Sequence, residues 1–252
     1  SPNTDSFFFP VVLAMVIIVV SAASVWSVYS KKHPLLTAIC IFSMMHQVFY
    51  INLEGVTTAY YTANDSCWYG APGFSLVFFY TVVQVISSVV GVAAAGLHAG
   101  VFSSWDLRSA EINAIVFRIA TGLFDLVIVQ NWNERYLHIN DKAFYLMGDA
   151  IAGEAAIILV MLPLKTLCSK IIPMGRATTS YALLDSFQFL GISISRIMGI
   201  ALANSLDVRA STVTGCNFTQ FAVTLALAHM VFPILSLSLA WIIIPRVKIN
   251  RE

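Results

Sequence analysis

The chain has 252 residues, 58% of them hydrophobic and only 11% charged, with a formal net charge of +1. Soluble domains carry about 25% charged residues, and disordered chains combine low hydrophobicity with high net charge, so both classes are excluded and a bilayer is the remaining solvent. The near-zero charge offers no basic field to nucleic acid, and the cysteines at 40, 67, 168 and 216 lack the spacing of a zinc or redox site.

A hydrocarbon core of about 30 Å takes about 20 helical residues. Apolar runs of that length predict seven spans: Phe7–Tyr29, Pro34–Asn52, Phe74–Leu97, Ile112–Val129, Ala143–Leu164, Tyr181–Leu202 and Phe218–Ile244. The first is too long, and lacks the cationic start, for a signal peptide. With the N-terminus outside, nine of the twelve Lys and Arg outside the spans face the cytosol, Lys31, Lys32 and Arg108 among them, as the positive-inside rule requires. The C-terminus is then cytosolic, and the plasma membrane is the expected location. The same orientation places Cys67, Cys216 and the sequons Asn64-Asp65-Ser66 and Asn217-Phe218-Thr219 outside, with Asn64 the glycosylation candidate. Cys67 and Cys216 are either a disulfide between two outer loops or two unpaired thiols, while Cys40 and Cys168 are expected to stay reduced.

Setting aside the loop charges leaves Arg118, Asp125, Asp149, Glu154, Asp185 and Arg196 at membrane depth. Each would cost roughly 2.5–3.5 kcal/mol facing lipid, so they are expected to point inward. Their depths suggest two layers: Arg118 with Asp185 toward the cytosol, and Arg196 with Asp149 or Asp125 toward the exterior. Arg118, Asp185 and Asp125 read as structural ties; Asp149, Glu154 and Arg196 read as the lining of a cavity. Small residues recur at Gly191, Ser195, Gly199 and Ala203, and at Ser87, Gly91 and Ala95, predicting close helix packing. Pro163 and Pro233 predict kinks. Tyr60, Tyr61, Trp68 and Tyr69, with Trp132 and Tyr136, form either an interfacial belt or a stacking platform at the mouth of a path.

Several strings together resemble the folate/biopterin transporter family of the major facilitator superfamily. Tyr50-Ile51-Asn52-Leu53-Glu54-Gly55 followed by Tyr60-Tyr61-Thr62 is similar to the exit of its seventh helix. Phe124-Asp125-Leu126 with Asn131-Trp132-Asn133 is similar to the end of its ninth. Gly148-Asp149-Ala150, Met161-Leu162-Pro163, Pro173-Met174-Gly175, Tyr181-Ala182-Leu183-Leu184, Ser195-Arg196 with Gly199, and Gly215-Cys216-Asn217-Phe218 follow in order. The chain departs from the family pattern at Arg176-Ala177, where members often carry an acid, and at Gln188, where they carry Asn.

The resemblance covers about residues 45–245 and implies an all-α polytopic bundle. Residues 34–252 would be the C-terminal six-helix half of a carrier, and residues 1–33 an additional span with a short cytosolic link. It implies a secondary-active transporter of pteridines working by alternating access, and a partial one, because a whole carrier has two halves. Its partners would be the bilayer, the pteridine, and a second half or a second copy of the chain; no cofactor is expected.

Such a substrate fits the charges. A pterin's 2-amino-4-oxo edge offers donors that a carboxylate accepts, making Asp149 the candidate for that edge. Folate adds an anionic glutamate tail suited to the donor fork of Arg196. Glu154, at mid-depth, is the candidate for a coupling proton. Two other classes compete: a seven-helix receptor, which lacks its motifs here, and a membrane assembly partner or remnant that does not transport. No nucleophile–base set or P-loop is visible, so an enzyme is not expected.

Overall fold

The computed structural model describes residues 4–64, 66–171, 177–210 and 215–248. The expected turn Pro173-Met174-Gly175 with Arg176, and Asp65 of the first sequon, lie outside the described residues. The protein is an all-α polytopic bundle and, among the described residues, has seven helical columns long and apolar enough to cross a membrane. We label them α1 (Thr4–Tyr29), α2 with α3 (Pro34–Phe49 and Glu54–Tyr61), α4 (Phe78–Gly100), α5 (Leu107–Val129), α6 (Asp141–Lys170), α7 (Ala177–Ser205) and α8 (Phe221–Ile243).

Local chemistry accounts for several boundaries. The Asp106 carboxylate accepts the Ser109 N–H at 3.0 Å and starts α5 earlier than the apolar run, and Asn140 accepts the Lys142 N–H to start α6. Pro34 occupies the first turn of α2, where its missing N–H has no intrahelical partner to lose. A π-helical turn, Leu227–Val231, precedes Pro233 in α8; α4 opens with a similar turn and α6 contains a longer one, Leu146–Gly153.

The second column departs from the predicted single span. It unwinds at residues 50–53 and resumes as α3, which is what carries Tyr60 and Tyr61 out of the expected outer loop and into the bundle. Both are buried, at 2% and 0% exposure, against Phe74, Phe218 and Phe221, so the belt reading holds for neither. Tyr69, Trp132 and Tyr136 remain exposed.

The break is held by α7. Ser195 Oγ accepts the Asn52 N–H and donates to the Tyr50 carbonyl, each at 2.7 Å, satisfying backbone groups that hydrocarbon would leave unpaired. The small-residue stripe makes the approach possible. A Cβ on Gly199 would collide with the Asn52 carbonyl oxygen, and one on Gly191 would come within 2.5 Å of the Met44 carbonyl oxygen. Among the described side chains of α1, a stripe through Ala14, Ile18 and Val25 is buried, against the core that α2 and α7 share.

Cys67 and Cys216 form a disulfide between the α3–α4 and α7–α8 loops, while Cys40 and Cys168 are buried free thiols. Asn64 is exposed beside it, its Oδ1 accepting from Cys67 N and Ser66 Oγ, whereas the Asn217 amide donates to Asp207.

Two measurements test this architecture. Gly199→Val is expected to lower stability by about 1–3 kcal/mol through overpacking, read as thermal unfolding in detergent. Gly55→Ala, with nothing within 4 Å of the new methyl, serves as the tolerated comparison. Maleimide labelling of the denatured, unreduced protein should count two thiols, and four after reduction; four without reduction would refute the bridge.

Candidate functional site

A cavity of about 510 Å³ opens among α2–α3, α4, α5, α6, α7 and α8. Its volume lies in the range of small-molecule sites, about 300–1,000 Å³. Asp149, Glu154 and Arg196 all line it, together with Asp125, Arg118, Glu54 and His229. Asp185 does not. A second cavity of about 280 Å³, between Leu97, Phe117, Leu159 and Pro163, has no ionisable side chain in its lining and offers no such chemistry.

The inner wall is built from pinned acids. Tyr61 donates its hydroxyl to Asp125 Oδ1 and Tyr145 donates to Asp149 Oδ2, both at 2.7 Å, and the two rings pack edge-on with centroids 4.8 Å apart. Asp149 lies in the π-helical stretch of α6, beside Gly148, where a Cβ would run into Phe124 of α5. Asp149 shares the cavity lining with Asp125, Glu154 and His229. Glu154 is half-buried, and a Cβ on Gly91 of α4 would stand 3.6 Å from its Oε1.

Arg118 is held by an aromatic ring and an imidazole. Arg118 is 7% exposed, with its guanidinium carbon 3.7 Å from the Tyr50 ring centroid and Nη1 2.9 Å from His46 Nε2. Because arginine only donates, Nε2 must accept, and Nδ1–H then donates to Ser236 Oγ at 3.1 Å. His229 stacks on Tyr50 at 4.8 Å and brings Nδ1 to 3.5 Å from Asp125 Oδ2, both side chains about one-eighth exposed (12% and 13%).

The expected ion pairs therefore change partners. Arg118 does not pair with Asp185, which instead binds Lys165 at 2.9 Å. Arg196 meets neither Asp149 nor Asp125; its Nη2 is 3.2 Å from Glu54 Oε2, the two side chains 61% and 67% exposed. For Asp185 and Arg196 the cause lies in the helix ends. The apolar runs end at Leu164 and Asn52, which leaves Lys165 and Glu54 in loops by sequence, but both residues are helical. Glu111 escaped for the same reason: α5 starts before it, and it is fully buried with neither carboxyl oxygen hydrogen-bonded.

Tyr50, His46, Glu54 and His229 are thus the cavity residues and supports that apolar-run counting passes over. The string from Tyr50 to Gly55 was the signal available for two of them. Among the described residues, no three His, Cys, Asp or Glu side chains converge as a metal site.

The energetic consequence is a contrast between buried and exposed partners. His46→Ala leaves a buried guanidinium short of an acceptor and is expected to cost about 3 kcal/mol. Asp185→Asn breaks a half-exposed pair and is expected to cost at most about 1 kcal/mol. Thermal unfolding of the two variants side by side checks the order.

Comparison with known proteins agrees with the resemblance carried by the sequence strings. The chain is 30% identical over 154 residues to the probable folate-biopterin transporter 4 of Arabidopsis thaliana, a stretch that covers 56% of this chain and 31% of that protein. The alignment thus spans about a third of that relative's length. No solved structure matches. The BT1 family profile matches residues 3–252, so the first helix is included along with the strings that begin at Tyr50, and the chain belongs to the BT1 family.

Proposed function

We propose that the chain carries pteridines across a membrane as part of a secondary transporter. Residues 34–252 act as the C-terminal six-helix half, and residues 1–33 supply an additional span and its link. The supporting observation is that one cavity gathers Asp149, Glu154 and Arg196 with the rings of Tyr50, Phe79, Tyr80 and Tyr145. Asp149 keeps acceptor capacity beyond the Tyr145 bond and takes the 2-amino-4-oxo edge of the pterin. The flat ring stacks on the aromatic wall, and Arg196 receives a carboxylate tail. The relative's name, a folate-biopterin transporter, supports the same substrate class.

Glu154 carries a coupling proton in this reading. A second half, or a second copy of the chain, closes the cavity, and rocking of one half on the other alternates access. The disulfide end faces the exterior, with Asn64 available for glycosylation, and the C-terminus faces the cytosol of the plasma membrane.

Uptake of tritiated folate and biopterin by cells expressing the protein tests this. Asp149→Asn is expected to lower transport of both by about tenfold or more, the loss that goes with a charge-assisted hydrogen bond of about 1.5–3 kcal/mol. Glu154→Gln is expected to remove the response to an imposed pH gradient while substrate binding persists. Unchanged uptake in Asp149→Asn removes that residue from the site.

A further inference from the structure

The charges of the cavity differ in how firmly they are held. Asp125 and Asp149 each accept a tyrosine hydroxyl at 2.7 Å, and Arg118 is clasped by His46 and Tyr50. Arg196 makes one long contact, 3.2 Å from Nη2 to Glu54 Oε2, with both side chains more than half exposed. Guanidinium–carboxylate pairs at their strongest are bidentate and shorter, about 2.7–2.9 Å, so this pair leaves most of the donor fork unused.

The backbone of Glu54 is nonetheless fixed beside Arg196. It opens α3 directly after the break, its N–H donates to Asn52 Oδ1 at 2.9 Å, and Asn52 is itself held by Ser195, the neighbour of Arg196. A carboxylate anchored in this way faces Arg196 at a high effective concentration. It occupies the cation without engaging it fully, and a free anion must displace it.

We propose that Glu54 is an internal competitor for the substrate's carboxylate tail at Arg196. It sets the preference of the cavity between pteridines that carry a carboxylate tail and those with neutral side chains. This rests on the reading of the cavity as a pteridine site. A lone small anion has only Arg196 to gain and is disfavoured by Glu54. A ligand that also reaches Asp149 through its ring edge binds at two points, and its tail then exchanges with Glu54. The displaced carboxylate stays in the first turn of α3, where the helix dipole favours negative charge.

The test is equilibrium binding of tritiated folate and tritiated biopterin to the protein in lipid nanodiscs. Glu54→Gln should raise the ratio of folate to biopterin affinity about two- to fivefold, the range expected for an exposed ion pair. Glu54→Asp, which keeps the charge on a shorter arm, should give an intermediate ratio. Arg196→Gln should lower the ratio, and adding Glu54→Gln to it should change nothing further. Inorganic phosphate should compete with folate more effectively in Glu54→Gln than in the unaltered protein.

A ratio that is unchanged or lowered in Glu54→Gln overturns the proposal, since Glu54 would then only position Arg196. An equal rise in the Arg196→Gln background also overturns it, because the effect would come from general charge. If the unaltered protein binds neither compound, the pteridine reading falls and this proposal with it; if folate binds with no dependence on Glu54, this proposal alone falls.

Discussion

A backbone amide or carbonyl without a partner costs several kcal/mol in hydrocarbon, so a membrane helix can be interrupted only where another group supplies the missing bonds. Ser195 supplies two for the second column, one to the Asn52 N–H and one to the Tyr50 carbonyl. Gly199, one turn further along α7, leaves room for the Asn52 carbonyl. The places of Tyr50 and Glu54 in the cavity follow from that clamp. Unwinding turns Tyr50 toward Arg118 and His229, and restarting the helix at Glu54 aims a carboxylate at Arg196. A continuous helix over the same residues would place neither contact by the same route.

The second organising feature is the close approach of α5 to its neighbours. Gly148 lets α6 lie against Phe124, and Gly122 does the same for α8 at His229. Asp125, Asp149 and His229, from three different helices, therefore share one wall. Like charges so placed repel. Each acid is steadied by its own tyrosine hydroxyl, and His229 lies beside Asp125. The π-helical stretch Leu146–Gly153 carries Asp149 at this wall, in keeping with the tendency of such turns to occur at functional sites.

Burial and solvation divide the charged residues by role. Arg118 is closed off and held by an imidazole and a ring face, an arrangement that fixes geometry. Arg196 and Glu54 are open and joined by a single contact, an arrangement that exchanges partners readily. Lys165 and Asp185, half-exposed and away from the cavity, tie α6 to α7. Two cation–carboxylate pairs and one guanidinium held by rings thus differ mainly in their exposure to solvent.

Composition and periodic apolar runs were enough to specify the solvent, the seven columns and six charged residues within them, because the free energy of placing a side chain in hydrocarbon depends mainly on its own chemistry. The packing stripe around Gly199 was also legible, since small residues repeated every four positions lie on one helix face. The ion pairs were not legible. They depended on helix ends, and nothing in Tyr50-Ile51-Asn52-Leu53 marks a break: the string has no proline or glycine, and the groups that stabilise it come from Ser195, more than 140 residues away. Moving an end by a few residues turned Glu54, Lys165 and Glu111 from loop charges into helix charges, and two of them, Glu54 and Lys165, became the partners of Arg196 and Asp185. Which charge meets which is settled by distances across the bundle, and those arise only when the helices pack.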